Sequence, residues 1–122
     1  MQDFRNLTVW QAARTLTKSV YETTSGYPRT ETFGLSAQMR RAAVSICANI
    51  AEGRGRGSDG DYRRFLLTAM GSACELECEV VLSVDLGLMP VRSHDRLIAD
   101  VAEVKRMLSA LVRTLHKPAH SA

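Results

Sequence analysis

The sequence predicts an all-α chain: an antiparallel up-down-up-down four-helix bundle forming a single domain over residues 1–122. Three observations point there. Apolar residues recur three and four positions apart along four separate stretches, the spacing that lines one face of a helix. The joints between these stretches, near 25–31, 54–58 and 88–92, are short, so consecutive helices are expected to lie side by side and antiparallel. No stretch shows the apolar–polar alternation between hairpin turns that strands require. A chain of 122 residues, 45% apolar and 24% charged, supports one globular core but not two.

The first helix is expected from about Leu7 to Thr24, with Val9, Ala13, Leu16 and Val20 inward and Gly26 then Pro28 as its stop. Phe4, Leu7 and Trp10 add an apolar cluster at its start, open to two readings: a cover over one end of the core, or a contact patch for another chain. The second helix runs from Thr32 or Ser36 to Glu52, with Leu35, Met39, Ala42 and Ile46 on one stripe. Asn49 takes the next seam position, beside Ile50. The third spans 59 to about 87 through Leu66, Ala69, Ala73, Leu76, Val80 and Val84. Ser58 with Asp61 three residues on fits a capping box, and Gly87 followed by Pro90 ends the helix. The fourth carries the cleanest seam: Leu97, Val101, Val104, Leu108, Leu111 and Leu115, an unbroken heptad repeat. Ser93 is its expected N-cap, with Asp95 in the first turn, and Pro118 is its stop. Residues 116–122 read as a frayed tail.

Composition narrows the function. Cys47, Cys74 and Cys78 lie inside apolar-periodic segments and read as free, reduced, buried thiols. No apolar run approaches the ~18 residues that cross a bilayer, and no basic-then-apolar leader precedes Phe4. A cytoplasmic protein without a membrane partner is therefore expected. A net charge of +3 and a pI near 9.0 suit an anionic partner but fall well short of a protein that coats DNA.

The stretch NIAEGRGRGSDGDYRRF, residues 49–65, is the most unusual. Gly55, Gly57 and Gly60 satisfy G-x-G-x-x-G ahead of a helix, yet the dinucleotide fingerprint needs a strand before the loop, and here a helix precedes it. Asp59 and Asp61 would also compete with a phosphate for the N–H groups of the first turn. The glycines instead suit a corner, with Gly53 expected in the left-handed conformation that ends a helix and Gly55 and Gly57 reversing the chain. That leaves the arginines. Arg40, Arg41, Arg54, Arg56, Arg63 and Arg64 are six of the sixteen basic residues, in 25 positions whose only acids are Glu52, Asp59 and Asp61. The fold would gather Arg54, Arg56, Arg63 and Arg64 at one end of the bundle. A solvated basic end and a contact with RNA, DNA or an acidic partner protein both fit that pattern. No aromatic ladder interleaves these arginines, so base stacking is not expected.

Ser45, Asn49 and Glu52 on the second helix and Ser72 and Glu75 on the third are the polar residues that antiparallel packing would bring toward one another. Asn49, on the seam, is expected to set register as a polar residue does in a coiled coil, and Glu52 to pair with an arginine or cap an amide. A di-iron bundle site needs Glu-x-x-His on two helices, and His94, His116 and His120 supply none. Cys74 and Cys78 lack the second ligand pair of a zinc site, and no nucleophile has a histidine placed as its base. No metal, no cofactor and no enzymatic activity are expected.

Together, FRNLTVWQAARTL, FGLSAQMRRAAVSICANIAEGRGR, RFLLTAMGSACELECEV and the DLG at 85–87 resemble the four-helix-bundle proteins associated with intervening sequences in bacterial 23S ribosomal RNA genes, over about residues 4 to 115. Members often carry proline where this chain has Cys47, so this copy is expected to run straighter there. A relative of that family is the accessory protein of diversity-generating retroelements, a homopentameric bundle with a basic surface that works with a reverse transcriptase and its template. The resemblance implies a non-enzymatic, oligomeric partner of RNA or of a ribonucleoprotein, pentameric by analogy. The second reading is a protein–protein interaction module that binds no nucleic acid.

Overall fold

Four helices follow one another: α1, Thr8–Thr24; α2, Leu35–Arg54; α3, Asp59–Asp85; and α4, Val91–Thr114. Short 3-10 turns at Phe4–Asn6 and Arg29–Glu31 precede α1 and α2. The computed structural model describes residues 3–31 and 34–115, and no strand occurs among them. The expected stop at Pro118 and the tail at 116–122 lie outside the described residues. Each helix packs against its neighbours in sequence, and α1 also packs against α4. Cross-contacts pair ascending numbers with descending ones: Gly53 with Tyr62, Ser45 with Ser72, and Met39 with Ser83 between α2 and α3. Those two helices are antiparallel. Thr17 with Cys47 and Thr24 with Arg40 give the same sense between α1 and α2.

The core follows the stripes that periodicity marked, except that Leu35 and Val84 are only half-buried and Ile50, Tyr62 and Met89 join it. Leu16, Val20, Met39, Ile46, Leu66, Leu76, Val80, Leu97, Val101, Val104 and Leu108 are buried essentially completely. At roughly 1.5–3 kcal/mol for each large side chain, their burial is the main favourable term for the fold. Leu111 and Leu115 are only half-buried against the core, because α4 reaches the open end of the bundle there. Leu7 and Trp10 pack on that same end, with the Phe4 ring 4.9 Å from Trp10 edge to face. They cover the core.

Several local expectations are corrected. The fourth helix starts at Val91, with Pro90 in the capping position at φ −66° and ψ 150°, so Ser93 lies inside the helix. Asp95 falls beyond the first turn and meets His94 Nδ1 at 2.9 Å. Gly53 is helical rather than left-handed; Gly87, at φ +72°, is the one described residue in that region. There it closes α3 with the paired bonds of a Schellman motif, Leu88 N–H to Ser83 O at 2.8 Å and Gly87 N–H to Val84 O at 3.0 Å. Ser58 Oγ does cap α3, accepting from Asp61 N–H at 3.2 Å, while the Asp61 carboxylate turns to Arg64 instead of completing the box. Cys74 and Cys78 are exposed and Cys47 is half-buried, so the expectation of buried thiols fails. The first two stand on α3 opposite the Ala69–Ala73–Leu76–Val80 stripe. α2 runs unbroken through Cys47, whose thiol is pushed up in pKa by burial.

Candidate nucleic-acid interface

The corner is built by a missing side chain. A Cβ on Gly53 would stand 2.8 Å from Phe65 Cβ and 3.0 Å from Tyr62 Cδ1, so glycine lets the last turn of α2 lie directly against the start of α3. Gly55, Gly57 and Ser58 then turn the chain with no left-handed residue. Because the joint is so short, Arg54, Arg56, Arg63 and Arg64 all lie within about two turns of it.

Two aromatic residues organise these cations, which the search for an aromatic ladder in sequence missed. The Arg54 guanidinium carbon lies 5.8 Å from the Tyr62 ring centre, and those of Arg56 and Arg64 lie 4.8 and 4.7 Å from the Phe65 ring centre. Contacts of this kind are worth about 0.5–1 kcal/mol at exposed sites and offset part of the repulsion among the arginines. The signal was available: Phe65 sits one residue after the arginine pair, on the α2-facing flank of α3. Burial raises the pKa of the Tyr62 phenol, and the neighbouring Arg54 charge draws it back.

Neutralisation at the corner is partial. Arg56 reaches Glu52 at 3.4 Å and Arg64 reaches Asp61 at 3.5 Å, both exposed pairs that a phosphate can displace at little cost. Arg63 has no ion pair among the described residues; with Arg64, Gly60, Leu67 and Thr68 it lines an open cavity of about 460 Å³. The structure does not bring Arg40 and Arg41 to this group. They belong to the opposite half of α2, some ~20 Å along the helix at 1.5 Å per residue. Arg40 donates from Nε to Thr24 Oγ1 at 2.8 Å, and Arg41 is exposed.

The polar residues divide likewise. Asn49 Nδ2 donates to Ser45 O at 2.9 Å and to Ser45 Oγ at 3.1 Å, and Ser45 Oγ meets Ser72 Oγ at 2.9 Å. This chain of bonds lies along the α2–α3 boundary. Asn49 is half-buried beside the seam, which continues through Ile50 and Gly53, so its expected place on the seam is corrected. Glu52 and Glu75 are exposed rather than interior.

The interior acid is Glu79, which sequence reasoning missed. It is 3% exposed, and neither carboxylate oxygen has a hydrogen-bond partner among the described residues. Burial, then the negative charge of Glu75 one turn before it, raise its pKa to about 7; Arg41 across the boundary opposes them weakly. The heptad step from Ser72 to Glu79 was the available signal.

Among the described residues, no group of three or more His, Cys, Asp or Glu side chains is placed to hold a metal ion. No helix among them is long and apolar enough to cross a membrane.

No curated protein matches the chain. One similar solved structure is a protein of unknown function from the S23 ribosomal protein family of Bacteroides thetaiotaomicron VPI-5482. It shares 21% identity at a TM-score of 0.78, covering 87% of this chain and 99% of its own. That likeness is one of fold. The profile of the 23S rRNA-intervening sequence protein family matches residues 5–110. The chain belongs to the 23S rRNA-intervening sequence protein family.

Proposed function

We propose that this protein is a non-enzymatic, oligomeric adaptor that binds RNA through the arginines of the α2–α3 corner. The supporting observation is the group of Arg54, Arg56, Arg63 and Arg64 around Tyr62 and Phe65, with only exposed, weak ion pairs to compete for it. Arginine is suited to phosphate because its planar fork offers two parallel N–H donors. A homopentamer, as in the retroelement accessory protein that the family resembles, would repeat this cluster around a ring and multiply weak contacts into retention.

The test is binding of a short single-stranded RNA across a range of salt concentrations, with the oligomeric state measured by light scattering. Each phosphate neutralised contributes about −0.7 to the slope of log K against log salt. Reversing the charge of all four arginines should flatten the slope by roughly 2–3. An unchanged slope in a folded variant would remove the corner from the interface.

A protein-only module is favoured by a separate feature, the outward face of α3, where Leu67, Val81 and Leu82 are exposed alongside Cys74 and Cys78. Capture of a protein partner that survives nuclease treatment, with no salt-dependent RNA binding, would establish that reading in place of the first.

A further inference from the structure

The opposite end of the bundle carries a second basic feature. Between the end of α1 and the first turns of α2 lies a cavity of about 390 Å³, within the range of small-ligand sites. Six of its eight lining residues are polar or charged, and none is acidic: Thr24, Ser25, Tyr27, Arg29, Ser36 and Arg40, with Pro28 and Ala37.

The donors can be counted. Thr24, Ser25 and Ser36 each commit the hydroxyl proton to a backbone carbonyl, at 2.7, 2.7 and 2.6 Å. The Tyr27 hydroxyl donates to Met39 Sδ at 3.7 Å and Arg40 Nη2 reaches Tyr21 O at 3.5 Å, so the side-chain donors left to the wall are the remaining guanidinium N–H groups of Arg29 and Arg40. Arg40 is held in place: its Nε bonds Thr24 Oγ1 at 2.8 Å, and its guanidinium carbon lies 4.6 Å from the Tyr21 ring centre. Thr24 is itself buried and anchored to Val20 O, so the contact that aims Arg40 belongs to the core. Neither Arg40 nor Arg29 has a carboxylate within ion-pair distance among the described residues. The nearby acid, Glu31, is engaged elsewhere, its Oε1 accepting from Leu35 N–H at 2.9 Å. Two cations facing one concave wall with no counter-ion concentrate a positive field there, and one has already surrendered much of its rotamer freedom.

We propose that this cavity binds a phosphate group, clamped by Arg40 from its fixed position and by Arg29 from the rim. The site is independent of the α2–α3 corner and of whether that corner binds RNA. Two sources supply the same chemistry: a free phosphorylated small molecule, or the terminal phosphate of a nucleic acid strand.

The experiment titrates the full chain with inorganic phosphate, pyrophosphate and a short oligonucleotide bearing either a 5′-phosphate or a 5′-hydroxyl, followed by amide NMR shifts. Saturable shifts at Ser25, Arg29 and Arg40 are expected. Arg40→Gln and Arg29→Gln should each weaken binding about tenfold or more, as loss of a charge-assisted hydrogen bond implies. Arg29 makes no side-chain hydrogen bond or ion pair among the described residues, so Arg29→Gln separates loss of ligand from loss of structure. Charge reversal at Arg54, Arg56, Arg63 and Arg64 should leave inorganic phosphate binding unchanged. A preference for the 5′-phosphorylated strand over both the 5′-hydroxyl strand and pyrophosphate identifies a strand end; equal or tighter pyrophosphate binding identifies a small ligand. No saturable shift with any phosphate probe, or affinity unaltered in Arg29→Gln and Arg40→Gln, overturns the site.

Discussion

Glu79 is the residue at which the bundle opposes its own chemistry. A carboxyl buried beside Glu75 prefers to stay protonated, and its pKa rises from 4.5 to about 7. The linkage has a definite sign. Between these two values the folded chain holds a proton that the unfolded chain has released, so stability falls as pH rises. The contribution is complete below about 4.5 and gone above about 7, a difference of order 3 kcal/mol at most. Glu79→Gln supplies a permanently neutral side chain of the same shape. Denaturant unfolding at pH 5 and pH 8 should therefore show a steep loss in the parent and a shallow one in the variant. Equal pH dependence in both would assign the effect to other carboxyls.

At the scale of elements, two glycines act for different reasons and their alanine variants separate them. Gly87 is needed for its backbone, since φ +72° is strained for any residue with a Cβ. Gly87→Ala should lower stability by about 1 kcal/mol through the end of α3 alone. Gly53 is needed for its absent side chain. Gly53→Ala pushes a methyl into Phe65 and Tyr62, and should cost about 1–3 kcal/mol while separating α2 from α3 at the corner. The packing prediction is checked by denaturant unfolding of the two variants: a loss in Gly53→Ala no larger than that in Gly87→Ala would overturn it. Between α3 and α4 the Lys105–Glu77 pair at 2.9 Å spans the two helices. Being partly exposed, it helps fix their pairing more than their stability.

For the whole molecule, topology divides the charge. An up-down bundle places the start of α1, the α2–α3 joint and the end of α4 at one end, and the other two joints at the opposite end. The arginine corner thereby shares an end with the Phe4–Trp10 cover and with an apolar groove of about 350 Å³ lined by Leu7, Val9, Met107 and Leu111. Arg40 stands about 20 Å along α2 from Arg54, with Arg29 beyond it at the far end. Surfaces this far apart exceed the Debye length of about 8 Å at physiological salt, so the two ends act separately. On the proposed assignment of RNA to the corner and phosphate to the far end, adding phosphate at constant ionic strength should leave RNA affinity unchanged within twofold. A mutual exclusion would mean that one surface serves both ligands.

The helices were legible in the sequence because their evidence is local. The 4–3 spacing from Leu97 to Leu108, the Ser58 cap and the Gly87 stop each act over a few residues, and each reappears in the fold. So did the gathering of Arg54, Arg56, Arg63 and Arg64, since a short joint leaves them nowhere else to go. What only tertiary packing decided was the fate of residues on the flanks of each stripe. Periodicity ranks faces but does not say which flank a neighbouring helix covers, so Glu79 was passed over and Asn49 placed one step too deep. The same limit grouped Arg40 with the corner arginines only as part of one basic segment, and Thr24 and Tyr21 hold it at the other end. A flank is buried by the helix laid against it, and the pairing of α2 with α3 and α1 is a property of the assembled chain.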